Sequence, residues 1–353
     1  MDHKPTQDEA LIGDMARRLF AERFPVSATR ELIEAGFAAP AGSGALGESG
    51  LFGALVPEAA GGAGLGAVAA LQIVRPAGRW LLPYPVADSL VAAAVLGAAR
   101  PELAAGVVAG ERLVVFAAVP ADLTASGGAV SGKVAAVPFG MAADALLIEA
   151  GGKTMLIDLA APGVIRAART GIDPTCPMAT VTLDGVTAGA VAPADPRWRR
   201  LRAILAAGEL AGAAGACLDL AVDYMKVRRQ FGQEIGRFQA LKHIAADAAT
   251  AIETMTVAAD HAAWAHDAGD DEADMAAAIA KSYASEHARK VAEGALQCHG
   301  AIGFTWDYDL QLYLRRILRL SASVGAASEH RTAIAAMLRE RLGERWAQGA
   351  EAA

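Results

Sequence analysis

The chain has few cysteines, few aromatic side chains and no long run of charge of one sign, and each scarcity excludes something. Cys176, Cys217 and Cys298 lie far apart, with no CxxC pair among them. An odd count without metal-ligand spacing argues against a disulfide framework and against a zinc site, so no metal is expected and a reducing cytoplasm fits. Aromatics make up 5% of the 353 residues, whereas 54% are hydrophobic, mostly alanine and valine. Small side chains favour close helix–helix packing over a bulky β core. The net charge of −7 is dispersed, which speaks against a nucleic-acid partner. The apolar stretch Leu90–Leu113 is broken by Arg100, Pro101, Glu102, Glu111 and Arg112, so it cannot span a bilayer and no membrane partner is expected. Met1 to Glu9 is polar and charged, unlike a secretory leader.

What is present falls into three blocks and reads as an α+β chain. Residues 1–113 are mainly helical: Ala10–Phe20 carries apolar residues at three-and-four spacing, and Leu90–Ala99 is a short apolar helical run. Asp88 or Ser89 is expected to cap the second of these. Residues 114–195 form a small β domain. Its β-prone runs Leu113–Ala117, Ala145–Glu149, Met155–Asp158 and Ala179–Leu183 are separated by Gly, Pro and Asp, and Asp184-Gly185 suits a tight connection. Residues 196–353 are helical again. Leu201–Arg229, Phe238–Ala268, Asp271–His299 and Leu310–Leu342 predict an antiparallel four-helix bundle.

Two segments of that bundle are the most informative. Tyr224-Met225-Lys226-Val227-Arg228-Arg229-Gln230-Phe231-Gly232 ends a helical pattern with paired arginines, an aromatic and a glycine. Gln297-Cys298-His299-Gly300-Ala301-Ile302-Gly303-Phe304 places glycines after a helix, where open backbone N–H groups can meet a phosphorylated ligand. The pair suggests a pyrophosphate-bearing cofactor held between helices. The bland alternative for Arg228 and Arg229 is a solvated helix C-terminus that Gly232 caps. His299 reads either as a cofactor neighbour or as a satisfied buried histidine, and Cys298 as packing.

Helical block, β domain and bundle in this order, with these segments, resemble the acyl-CoA dehydrogenase family over nearly the whole chain. Arg228-Arg229-Gln230-Phe231-Gly232 leads to Phe238-Gln239-Ala240, and Gln297–Phe304 runs into Leu312-Tyr313-Leu314-Arg315-Arg316. Val56-Pro57-Glu58 before Gly61-Gly62, and Gly171-Ile172-Asp173-Pro174-Thr175 before Leu183-Asp184-Gly185, are similar to phrases of that family. The resemblance implies FAD at a subunit interface. Arg228 would meet the pyrophosphate of a flavin held mainly by the neighbouring subunit, with Phe231 and Gln239 nearby, while Gln297, Gly300 and Ala301 would line its adenosine side. A guanidinium suits that task because it is permanently charged and meets phosphate oxygens bidentately.

The chain departs from the family where the chemistry is done. Members take the α-proton of an acyl-CoA with a glutamate while hydride leaves the β-carbon for the flavin. Alignment of the glycines puts Val324 at the usual base position, and valine cannot move a proton. A second position used by some members falls near Arg202, again without a carboxylate. Glu209, among alanines and glycines on the same helix, is the remaining candidate base, or else a buried hydrogen-bonding group. Two flavin-facing phrases of the β domain are also altered, at Ala117–Leu123 and at Ala136-Val137-Pro138-Phe139.

These readings imply oxidation of an acyl-CoA to its 2,3-enoyl thioester in a homo- or hetero-oligomer, with electron-transfer flavoprotein or oxygen as acceptor. Three versions stand: an active homo-oligomer with a relocated base, a silent partner subunit of a heteromeric dehydrogenase acting on bulky thioesters such as steroid side chains, and a flavin-free helical scaffold.

Overall fold

The computed structural model describes residues 5–37, 39–117 and 122–351. Six helices come first: α1 (Gln7–Arg23), α2 (Val26–Glu34), α3 (Ser43–Glu48), α4 (Ala67–Arg79), α5 (Val86–Ala99) and α6 (Pro101–Val108). The first helix starts at a capping box, with Thr6 Oγ1 accepting from the Glu9 amide and Glu9 Oε2 accepting from the Thr6 amide at 2.7 Å. Helix α5 starts at Val86, before the expected caps. Asp88 therefore sits in its first turn, with its carboxylate turned towards the next domain.

Eight strands follow: β1 (Val114–Phe116), β2 (Asp122–Ser126), β3 (Ala129–Pro138), β4 (Ala145–Ala150), β5 (Lys153–Asp158), β6 (Val164–Arg169), β7 (Met178–Thr187) and β8 (Gly189–Pro193). They form two four-stranded sheets, ordered β1-β4-β5-β8 and β2-β3-β7-β6, in which, among the described residues, only the β1–β4 pair is parallel. Asp184-Gly185 is no hairpin turn. It lies inside β7 opposite a register shift of β3, where Gly185 (φ +60) donates its amide to Ser131 Oγ at 2.9 Å. Such a bulge needs the same left-handed residue that a turn needs, which is why the two look alike in sequence.

The bundle comprises α7 (Pro196–Val227), α8 (Gln239–Ala268), α9 (Ala273–His299), α10 (Leu310–Ala322) and α11 (Ala327–Glu351), with a short hairpin, β9 (Arg229–Gln230) and β10 (Gln233–Glu234), after α7. The antiparallel bundle stands as expected, but its fourth helical pattern is two helices broken at residues 323–326. Helix α7 matches a membrane span in length and composition, yet it forms the bundle's core. The alanine and glycine excess works here through backbone approach. A Cβ on Gly212 would lie 2.0 Å from the Arg75 carbonyl oxygen, and one on Gly78 would lie 2.1 Å from that of Glu209. Helix α4 thus rests directly on α7 and fixes where the α7 side chains meet the N-terminal block.

Candidate functional site

Val324 and Arg202, the two positions that the resemblance assigns to a base, lie at one cleft between α5, α7, the β domain and the α10–α11 turn. Val324 and Arg202 line both of its cavities. One, of about 210 Å³, also takes in Val95, Phe116, Leu147 and Trp198. The other, of about 60 Å³, takes in Tyr84, Asp88, Phe139 and Glu209.

Val324 lies in the turn between α10 and α11 at φ +55, followed by Gly325 at φ +94. A β-branched residue in the left-handed region is strained by ~1–3 kcal/mol and persists only where its surroundings hold it. Two side chains do so. His330 Nε2 donates to the Val324 carbonyl at 2.9 Å, and the fully buried Lys281 donates to Ser321 O and Gly325 O, both at 3.2 Å, and to Ser285 Oγ at 2.8 Å. Burial pulls the Lys281 ammonium down to about 8, with the Glu329 carboxylate opposing the shift.

Arg202 crosses the cleft. Its guanidinium lies 4.4 Å from the centre of the Phe116 ring, donates to Ala117 O at 3.0 Å and faces Asp88 Oδ1 at 3.6 Å. Its Nε is buried without a partner among the described residues. Burial pushes the Asp88 carboxyl above the usual range, although Arg202 and the Phe116 amide oppose this. Burial likewise lowers the Arg202 pKa, against the pull of Asp88 and Glu149.

Glu209 reaches the smaller cavity but is held by an ion pair, its Oε1 accepting from Arg316 Nη1 at 3.0 Å. Arg316 is the hub of a buried network. Its Nε meets Asp173 Oδ2 at 2.9 Å and Thr175 Oγ1 at 3.0 Å, and its Nη2 donates to Leu82 O at 3.0 Å. Arg319 Nε adds a second bond to Asp173 Oδ2 at 2.8 Å. Burial resists ionisation of Asp173, but Arg316, Arg319 and Thr175 together outweigh it and hold the carboxyl below the usual range. The Gly171–Thr175 phrase therefore ties the β domain to α10 and α7. Sequence reasoning quoted its residues without finding that role; the signal was two arginines at i and i+3, which share one helix face. Asp88 and Lys281 gave no comparable signal. Cys176 lines the smaller cavity, where burial pushes its thiol up to about 11, so it supplies no thiolate at neutral pH. Of the altered phrases, Phe139 (φ +51) lines this cavity, whereas Ala118, Val119, Pro120 and Ala121 lie outside the described residues.

The cofactor candidates gather at the opposite end of α7. Tyr224 in its last turn stacks on His299 at 4.4 Å, and Tyr308 meets both rings edge-on, which brings the two informative segments together. The paired arginines divide. Arg229 Nη1 binds Glu234 Oε1 across the β9–β10 hairpin at 2.6 Å, while Arg228 is exposed and has no side-chain partner among the described residues. Gly232 is not a helix cap: with Phe231 it forms the hairpin turn, at φ +80 and +54. That conformation leaves the Phe231 ring 91% exposed. Gln239 opens α8 and Gln297 closes α9, both exposed, with Gly300 and Ala301 beside them. Gly300 has φ +67, and nothing lies within 4 Å of the space its Cβ would fill. His299 is half satisfied: its Nδ1 donates to Ala295 O at 2.8 Å, while its buried Nε2 has no partner among the described residues.

This end fits the pyrophosphate and adenosine of FAD, because it offers an uncommitted guanidinium, bare backbone and exposed amides. The cleft does not fit a flavin ring and acyl chain of its own. Ligand pockets usually measure about 300–1,000 Å³, and each cavity falls short of that. The two regions are far apart: Arg202 and Arg228 are separated by about 39 Å of helix.

Comparison with known proteins agrees with the architecture. The acyl-CoA dehydrogenase N-terminal domain matches residues 6–108 and the C-terminal domain residues 200–338. Acyl-CoA dehydrogenase FadE34 of Mycobacterium tuberculosis is 35% identical over 303 residues, 83% of this chain but 42% of its own length, so the chain spans less than half of that relative. Acyl-CoA dehydrogenase IpdE2 of Mycolicibacterium smegmatis is 32% identical over 266 residues, 74% of this chain and 76% of its own. Among solved structures, the steroid ACAD Tcur3481-Tcur3483 superposes with a TM-score of 0.86 at 28% identity, covering 96% of this chain and 99% of that one. The ChsE4-ChsE5 complex from Mycobacterium tuberculosis shares the fold at the same TM-score of 0.86 and 23% identity. The chain belongs to the acyl-CoA dehydrogenase family, whose members are FAD-dependent oxidoreductases acting on CH–CH groups.

Proposed function

We propose that this chain is one subunit of a heteromeric FAD-dependent acyl-CoA dehydrogenase, and that it lends Arg228, Phe231, Gln239, Gln297, Gly300 and Ala301 to a flavin whose reacting ring lies in a neighbouring chain. One observation carries the reading. Arg228 stands about 39 Å along α7 from the cleft where its own chain's reaction would take place, beyond the reach of a single dinucleotide. An arginine kept there serves a neighbour.

The neighbour is a different chain because this one supplies no free base. Proton abstraction needs a carboxylate within hydrogen-bond reach of the substrate α-carbon. Val324 and Arg202 occupy both base positions, and Glu209 is bonded to Arg316. In such an assembly FAD would supply the hydride acceptor, and this chain's part is to neutralise pyrophosphate charge with Arg228 and to cover the adenosine side with backbone. Val227, Phe231, Phe304 and Trp306 are more than half exposed around this end, an apolar rim suited to a covering subunit. The likeness to a steroid ACAD favours a bulky acyl-CoA as the complex's substrate, with electron-transfer flavoprotein as acceptor. Three buried free cysteines suit a reducing cytoplasm.

The test is flavin content. The chain purified alone is expected to be colourless and, when co-expressed with an acyl-CoA dehydrogenase chain encoded beside it, to co-purify as a yellow complex. A yellow, active homo-oligomer that loses activity in Glu209→Gln would establish the relocated-base reading instead. Absence of flavin under both conditions would leave the scaffold.

A further inference from the structure

We propose that Arg202, set across the cleft with Asp88 and Phe116, seals this chain's own reaction site, so that the chain can give to a neighbour's flavin and admit none itself. The inference rests on the lending role above and adds a cause for it that is independent of the missing glutamate.

Four observations carry it. Arg202 and Val324 line both cavities, so the Arg202 side chain stands at the boundary between them together with the Val324 turn. It is fixed on three sides, by the Phe116 ring at 4.4 Å, by Ala117 O at 3.0 Å and by Asp88 at 3.6 Å. The Asp88 carboxylate is itself anchored, accepting from the Phe116 amide at 3.4 Å. Finally, the partition leaves spaces of about 210 and 60 Å³, each too small for a tricyclic ring with an acyl chain against it.

The chemistry of the seal explains its persistence. A buried guanidinium cannot shed its proton to escape burial, and withdrawing it would leave the Asp88 carboxylate unpaired. The flat face on Phe116 adds cation–π attraction in a poorly solvated site. A long side chain with a partner at its tip therefore stays across the cleft, and its bulk there is what excludes a ring. Restoring a carboxylate at position 324 alone would not revive the site, because the space in front of it is already taken.

The experiment uses the full chain by itself, where no flavin is lent, and lumiflavin as probe, followed by quenching of its fluorescence. The wild type is expected to show no saturable binding, and the Arg202→Ala/Asp88→Ala pair to bind saturably at a concentration at least tenfold below the highest one tested on the wild type. Changing both residues avoids an uncompensated charge. If that pair fails to fold, Arg202→Gln/Asp88→Asn shortens the arm while keeping polar contacts, and the same gain is expected. Arg202→Met/Asp88→Leu, which keeps bulk without charge, is expected to stay closed. Saturable binding by the wild type, no gain in a folded opened variant, or equal opening of the bulk-conserving variant would each overturn the seal. Flavin uptake on co-expression is a separate measurement, so failure of the seal and failure of the lending role are distinguishable.

Discussion

The two ends of α7 have been treated in opposite ways. At its C-terminal end Arg228 has no side-chain partner among the described residues, Phe231 is turned out to solvent in a strained turn, and Gly300 keeps open space above its backbone. At its N-terminal end Arg202 is paired, stacked and buried, and Val324 is clamped by Lys281 and His330. Both ends hold an arginine and a left-handed non-glycine residue, so composition does not separate them. What separates them is whether the arginine is buried against a charge partner of its own chain or left exposed. Unsatisfied, exposed groups are available to another molecule, whereas satisfied, buried ones stabilise the fold. The comparison teaches that the candidate binding end of this chain is read from missing partners rather than from residue type.

The largest effect should come from the cleft side. Asp173→Ala strips Arg316 and Arg319 of their shared buried carboxylate and is expected to lower stability by about 3–5 kcal/mol in denaturant unfolding. The sign with pH follows from the same group. Its folded pKa lies below the unfolded value, so its contribution is present above about pH 4 and is lost as pH falls through the folded value. The wild type should therefore lose stability on acidification below about pH 4 more steeply than Asp173→Ala. Equal acid sensitivity of the two would contradict the network.

Arg228→Ala should do the reverse. Stability is expected to stay within about 0.5 kcal/mol, because the side chain is exposed and unpaired. Flavin affinity of the co-expressed complex should fall about 10- to 100-fold, the value of a charge-assisted phosphate contact. A fall in melting temperature without loss of flavin would erase the contrast between the ends.

A smaller pH effect belongs to the α10–α11 turn. Lys281 has a folded pKa of about 8, depressed from an unfolded value of about 10.4. Between those values the unfolded chain binds more protons, so stability should rise with pH by up to about 1.4 kcal/mol per pH unit. Lys281→Met should flatten that rise when unfolding is compared at about pH 8 and about pH 10.

The smallest effect is strain. Replacing Val324 by glycine removes a left-handed penalty of about 1–2 kcal/mol at an entropic cost of about 0.5–1 kcal/mol, a modest net gain. Phe231→Gly should gain similarly, but only this second change is expected to weaken flavin uptake. Thermal unfolding and flavin content, measured on both variants, separate the two.

The long helices were legible because helical period is a local signal. Strands β2, β3, β6 and β8 were not found in sequence; β2 and β6 are largely exposed and lack apolar alternation. The break before α11 escaped notice for another reason: Val324 is an unlikely left-handed residue, held there by Lys281, some forty residues earlier in the chain. The Arg202–Asp88 pair joins α7 to α5 across the whole β domain, and no sequence spacing announces such a contact. Local pattern ends where long-range pairing begins.

The most direct test is the number of flavins bound per chain in the purified heteromeric complex, counted by absorbance after denaturation against total protein. One flavin for each pair of unlike chains is the result expected if this subunit lends an arm and keeps its own cleft shut. Two flavins for each pair, one of them against Arg202, would contradict the account.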